Sequence, residues 1–264
     1  MSAQEAGSSR AEVDDFPRRR EKILTALQAG RSFDFEHMLE QHYRRFLNRG
    51  DGVIDVGAHT GRHLVNFIEC VGDSGHIIAF EPLPFAYEHL RARYRHANVI
   101  LKNAALSNTE GVVSFVHAQG TPEESGLRER IYNSPTTANP HVIEVTAEKL
   151  DRYVDDIPRL KYIKIDVEGG EMNVLAGGTR MLRAHRPLVS VEYGRPGYSA
   201  YGHTLFTLFD FAEANDYVMY DIFANRLGRE QWPQSCDCIC WDFFMVPAEK
   251  ETEFARLVPP VAVD

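Results

Sequence analysis

From residue 51 onward the chain alternates short apolar runs with segments of helical spacing. "GVIDVGAH", "HIIAFEP", "VILKNAAL", "YIKIDVEG" and "PLVSVEYG" read as buried strands, each too short for a helix and rich in β-branched residues. Between them "GRHLVNFIECV", "PFAYEHLRARYRHA", "EMNVLAGGTRMLRAH" and "LFTLFDFAEAND" place apolar residues three and four apart. That is the βαβ alternation of a doubly wound, mostly parallel sheet. "YVMYDIF" and "CICWDFFMVP" follow with no helix between them and are predicted to be an antiparallel pair at one side of the sheet.

Upstream, residues 21–50 form a helical cap of two short helices broken at "QAGRS". Residues 1–20 are polar and read as a disordered tail, and 248–264, polar again, as a C-terminal tail. The main domain spans 51–247. Within it, the predicted strands "VVSFVH" and "HVIEVTAEKL" flank a polar, proline-containing excursion over 118–140. An excursion of that length is expected to cover an acceptor site, together with the N-terminal helices.

The chemistry sits where the strands end. "VIDVGAHTGRH" puts Gly57 and Gly61 between a strand and a helix, a turn where backbone amides can meet a ligand. A dinucleotide fold favours glycine where His59 stands, which weakens a pyrophosphate reading, and Asp55 inside the strand suits a cationic ligand better than a phosphate. Glu81 ends the second strand, where a carboxylate accepts hydrogen bonds from ribose hydroxyls, and Asn103, after the third, can serve an adenine edge.

"VIDVGAHTG", "AFEP", "NAALSNTEG" and above all "IKIDVEGGEMNVLAGG" resemble the FkbM family of S-adenosylmethionine-dependent methyltransferases, over about Gly52 to Tyr193. The resemblance implies an α/β class I methyltransferase Rossmann-like fold: seven strands in the order 3-2-1-4-5-7-6, the last antiparallel, with helices on both faces. It implies S-adenosyl-L-methionine as cofactor, held by Asp55, Gly57, His59, Glu81 and Asn103, with Asp166 at the pocket edge. His59 departs from the glycine common in related enzymes.

The implied activity is O-methylation of a hydroxyl on a small molecule, a sugar or a polyketide-type natural product. Alternatives are a carboxylate or amine acceptor, or a nicotinamide-dependent oxidoreductase. Asp166, Glu168 and Glu192 are the candidate catalytic carboxylates, Asp166 first. It would take the hydroxyl proton directly, or help hold a divalent ion such as magnesium, with Glu168 or Glu192 as further ligands. The sequence leaves the metal unknown. An ion pair of Lys164 with Asp166 or Glu168 is the structural alternative, Glu171 is assigned to a helix start, and His141 and His203 are secondary candidates for a base.

Charge and cysteine usage narrow the partners. A formal net charge of -9 disfavours a phosphate backbone, so nucleic acid is not expected. No apolar run reaches the roughly 18 residues of a membrane span and no secretory leader is seen, so the protein is expected in the cytoplasm with no membrane partner; homo-oligomerisation stays open. Cys236, Cys238 and Cys240 would share one strand face with Asp242, and their spacing fits core packing better than a zinc site.

Overall fold

A computed structural model of the protein describes residues 15–263. Five parallel strands, β1 (Gly52–Val56), β2 (His76–Phe80), β3 (Val99–Lys102), β7 (Leu160–Ile165) and β8 (Leu188–Glu192), form the body of the main sheet. Antiparallel to β8 runs β11 (Asp242–Pro247), which also pairs with β9 (Tyr217–Asp221). A two-residue strand, β10 (Arg226–Leu227), pairs with β9 and closes that edge. The order β10-β9-β11-β8-β7-β1-β2-β3 is the expected 3-2-1-4-5-7-6 pattern with one strand added, eight rather than seven. The antiparallel pairing of β11 with β9 agrees with the expected final pair, but the pair is not uninterrupted: β10 and a short helix, Trp232–Ser235, lie between the two strands in sequence.

β1 is buried at every position, which is why "GVIDV" shows little alternation. A second sheet, β4 (Ala105–Leu106), β6 (Pro140–Glu148) and β5 (Gly111–Ala118), carries the excursion. This excursion is folded, not open loop. It has a 3₁₀ turn at Pro122–Glu124, a helical turn at Pro135–Ala138 and its own small core of Ala118, Tyr132 and Ala138. Gly120 is forced there: a Cβ would lie 1.8 Å from the Thr137 carbonyl oxygen.

Three expectations need correction. The first helix runs Phe16–Gln28 and so begins five residues before the end of the stretch assigned to a tail; Phe16 and Ile23 are buried, and residues 1–14 lie outside the described residues. At the other end, Glu251–Leu257 is a helix whose Phe254 packs on Phe46, Tyr220 and Phe244. Finally, only Asp242–Pro247 of the last segment is a strand. Cys236 caps a short helix, Trp232–Ser235, and Cys238 and Cys240 lie in the turn after it, so the three thiols share no strand face. All are free; Cys236 and Cys240 are buried, as core packing requires, but Cys238 is exposed and does not pack in the core. Among the described residues no helix is long and apolar enough to cross a membrane.

Candidate functional site

A cavity of about 520 Å³ opens at the end of the sheet where β1, β2, β7 and β8 terminate and β11 begins. The segment Phe33–Glu36, which leads into and opens helix Phe35–Phe46, walls one side, and Pro122, Glu123, Ser125 and Leu127 of the excursion wall another.

The turn after β1 is built by close backbone approach. Gly57 (φ 84°) could carry no side chain, because its Cβ would sit 1.9 Å from the Asp166 carbonyl oxygen. Gly61 is confined by the Tyr94 and Leu90 side chains. His59 adopts φ 46°, and its amide donates to Glu81 Oε2 at 2.7 Å. The other carboxylate oxygen of Glu81 accepts from the Leu83 amide at 2.8 Å. Glu81 thus ties the two turns together. Its burial pushes its pKa up to about 7, against the pull of these amides.

Asp55 is 1% exposed and faces the cavity with both carboxylate oxygens unpartnered. Burial raises its pKa, an effect the opposing Lys164 partly offsets. His59 also leaves its Nε2 buried and unpartnered, and burial lowers its pKa. Asp55, Gly57, His59 and Glu81 are therefore brought together on one wall. Asn103 is not. Its amide donates to the carbonyls of Glu81 and Pro82 and its side chain is exposed, so it braces the loop, while Ala104, Ala105 and Leu106 supply the wall there.

On β7 the two-residue strand period turns Lys164 and Asp166 to one face, where they pair at 2.9 Å. Lys164 lies level with Asp55 on β1. Its burial works to lower its pKa, but Asp166, Asp55 and Glu36 outweigh that, and the ammonium stays charged. Burial alone would raise the pKa of Asp166. The Lys164 charge and hydrogen bonds from Glu192 and Lys164 outweigh it and hold the pKa at about 2. Glu192 responds in the opposite sense: burial and the adjacent Asp166 charge push it well above the usual carboxylate range. Lys164, bonded to Asp166 and not to Glu192, favours the negative charge on Asp166.

Glu168 (φ 60°) forms an ion pair with Arg130 from the excursion, which fastens that element to the end of β7. Glu171 is buried and accepts from the Gly169 amide at 2.9 Å, closing the turn before helix Glu171–Ala176. Lys164 thus makes the ion pair with Asp166 that was the structural alternative for these residues, and Glu171 stands at the helix start assigned to it. Asp166, Glu168 and Glu192 do approach, with one oxygen from each within 4.8 Å. Two of them, however, are already matched by Lys164 and Arg130, so the set does not call for a divalent ion. His141 and His203 do not line the cavity; His141 is exposed and bonds the Asn139 carbonyl.

Some of the wall escaped sequence reasoning. Glu36 accepts from His63 Nε2 at 2.5 Å, while the Tyr43 hydroxyl meets His63 Nδ1 at 3.1 Å. The hydrogen bond from His63 lowers the pKa of Glu36 despite its burial. Asp242 lies directly across from Glu192 in the β8–β11 ladder. Burial, then the charges of Asp166 and Glu36, raise its pKa to about 7. Its place as first residue of a strand leaving a glycine-free turn carried no motif that marked it.

The methyltransferase FkbM domain matches residues 55–219. A curated relative, hexuronic acid methyltransferase AglP of Haloferax volcanii, is 28% identical over 141 residues, 51% of this chain and 52% of that protein, so the match spans about half the relative's length. Among solved structures, methyltransferase FkbM from Methylobacillus flagellatus KT is similar at 15% identity and a TM-score of 0.45, covering 88% of this chain and 60% of that one. The O-methyltransferase from Bacillus cereus, in complex with SAH, is similar at 11% identity and a TM-score of 0.43, covering 86% and 88%. With the matched region running from the Asp55 turn into β9 and including each of the candidate carboxylates except Asp242 and Glu36, the chain belongs to the FkbM family of methyltransferases.

Proposed function

We propose that the protein is an S-adenosylmethionine-dependent O-methyltransferase acting on a hydroxyl of a small sugar-type acceptor. The observation that carries this reading is Asp55, a buried carboxylate facing the cavity with no partner, beside a turn that lacks the second glycine of a pyrophosphate site. A buried carboxylate without a hydrogen-bond partner there opposes a phosphate and favours a cationic ligand. Glu81 retains lone pairs on both oxygens for ribose hydroxyls after accepting its two amides. These residues fit S-adenosylmethionine: Asp55, the Gly57 turn, His59 and Glu81 would hold it. When bound, it supplies a methyl group on a positively charged sulfur.

The chain's own residues then position and deprotonate. Asp166 accepts a hydrogen bond from the acceptor hydroxyl and fixes the oxygen's orientation. A hydroxyl proton becomes strongly acidic only as the new O–C bond forms, so a carboxylate of low proton affinity is sufficient to take it. Lys164 keeps Asp166 ionised, and the protonated Glu192 donates to it and absorbs the change in charge. The sugar-type acceptor draws on the family and on the hexuronic acid substrate named for the Haloferax relative. A cytoplasmic place in natural-product biosynthesis belongs to the same proposal.

Two measurements test it. S-adenosylhomocysteine should raise the melting temperature while NADH does not; the reverse would indicate an oxidoreductase. Asp166→Asn should lower transfer of labelled methyl by roughly 10² to 10⁴ with S-adenosylhomocysteine affinity nearly unchanged. Near-normal turnover in that variant would remove Asp166 from the chemistry.

A further inference from the structure

Gly57 (φ 84°), His59 (φ 46°) and Gly61 (φ 88°) place the turn after β1 in the left-handed region at every second residue. Two of these positions admit no side chain: a Cβ would lie 1.9 Å from the Asp166 carbonyl oxygen at Gly57 and 2.8 Å from the Tyr94 ring at Gly61. His59 carries a full side chain in the same region, where L residues are uncommon and glycine sits without strain. A residue held there against its preference points to a task for its side chain.

Packing does not supply that task. The imidazole stands edge-on to the Phe85 ring at 6.5 Å, and Phe85 is itself 47% exposed, so no core is filled. Nε2 is buried and makes no hydrogen bond among the described residues, and His59 lines the cavity. A buried ring nitrogen without a partner is costly unless a ligand completes it. The His59 amide is already engaged by Glu81 Oε2 at 2.7 Å, which keeps the root of the side chain beside that carboxylate.

The two groups are chemically complementary. Each oxygen of Glu81 accepts one amide, from His59 or Leu83, and retains a lone pair for an incoming hydroxyl. A hydroxyl that donates to Glu81 can still accept, and Nε2 of a neutral imidazole can carry the proton offered to it. Burial lowers the pKa of His59, so the ring is uncharged at neutral pH and suits a hydroxyl better than a carboxylate.

We infer that the His59 imidazole binds the ribose hydroxyls of S-adenosylmethionine together with Glu81, donating where Glu81 accepts, and that this contact is what a histidine contributes at a left-handed position. The inference rests on the methyltransferase reading above. It separates two effects that a structural histidine would keep together, because removing the side chain relaxes the backbone while it weakens the ligand.

The test uses the full chain, with the melting temperature of ligand-free protein and the calorimetric affinity for S-adenosylhomocysteine as readouts. His59→Gly should melt no lower than wild type yet bind S-adenosylhomocysteine about 3- to 10-fold more weakly. With the two analogues of S-adenosylhomocysteine that each lack one ribose hydroxyl, that loss should vanish for at least one, since the contact is then already missing. His59→Asn is also at ease in the left-handed region, and its amide ends short of the Nε2 position, so it supplies the same reading should the glycine variant fold poorly. A melting temperature that drops in both variants, unchanged affinity in a folded variant, or an equal loss against all three ligands would overturn the inference. Binding of S-adenosylhomocysteine to wild-type protein reads the parent proposal: if it persists while the variants bind equally well, only the assignment of His59 falls.

Discussion

Glu81 is a residue whose two tasks use the same atoms. Its carboxylate oxygens hold the amides of His59 and Leu83 and so fix the turns after β1 and β2, and the same oxygens face the cavity. Glu81→Ala removes both functions. S-adenosylhomocysteine affinity should fall by about 1–3 kcal/mol by calorimetry in a variant that remains folded, and unchanged affinity would exclude Glu81 from the cofactor wall. At this scale the sequence was informative where function follows strand position. Asp55, Glu81, Asp166 and Glu192 stand at strand ends, and the strand period turns each toward the cavity. It was uninformative where orientation is set by tertiary neighbours. Asn103 follows β3 as expected, yet the carbonyls of Glu81 and Pro82 draw its amide away from the cavity. Glu36 and Asp242 reach the site from segments whose nearness depends on packing that no local pattern encodes.

Among the elements, the helix Glu251–Leu257 changes the reading most. Seven residues of mixed charge suggested a tail, but a single aromatic side chain anchors them. Phe254 is 2% exposed and meets the rings of Phe46, Tyr220 and Phe244. Phe254→Ala should destabilise the protein by about 3–5 kcal/mol in denaturant unfolding, and a loss below about 1 kcal/mol would restore the tail reading. The shape of the excursion was hidden for a similar reason. Its polarity is real, but Gly120, Arg130 and the small core around Tyr132 give it a fixed shape that composition alone does not reveal. The parallel strands, by contrast, were legible because burial on both faces leaves nearly continuous apolar runs.

For the molecule as a whole, the buried acids set the response to pH. Glu81, Glu171 and Asp242 ionise at about 7, and Asp221 at about 6, whereas the ordinary values are 4.5 for Glu and 3.8 for Asp. Folded protein therefore binds protons that the unfolded chain has already released. The stability these groups contribute is complete below their unfolded values and is lost as pH rises through the folded ones. Asp166 works oppositely, but its folded pKa of about 2 confines that effect to acid solution. His42 and His59, kept neutral by burial, oppose the trend only below about 6.5. The melting temperature of the ligand-free protein should fall as pH rises from about 6 to 8. A flat or rising profile would show that these carboxyls ionise normally.

The walls of the cavity also differ in how they are written along the chain. Asp55, Gly57, His59, Glu81 and Leu106 fall within one continuous stretch, each fixed by the strand before it. The opposite wall is assembled from Phe33–Glu36, the excursion, the end of β8 and the start of β11, segments that share no neighbour in sequence. Inheritance acts differently on the two. Recombination near residue 107 would carry the whole donor-side wall as one cassette. The opposite wall could change piece by piece, because each piece hangs on a different core element and an exchange at one rim leaves the sheet beneath it in place.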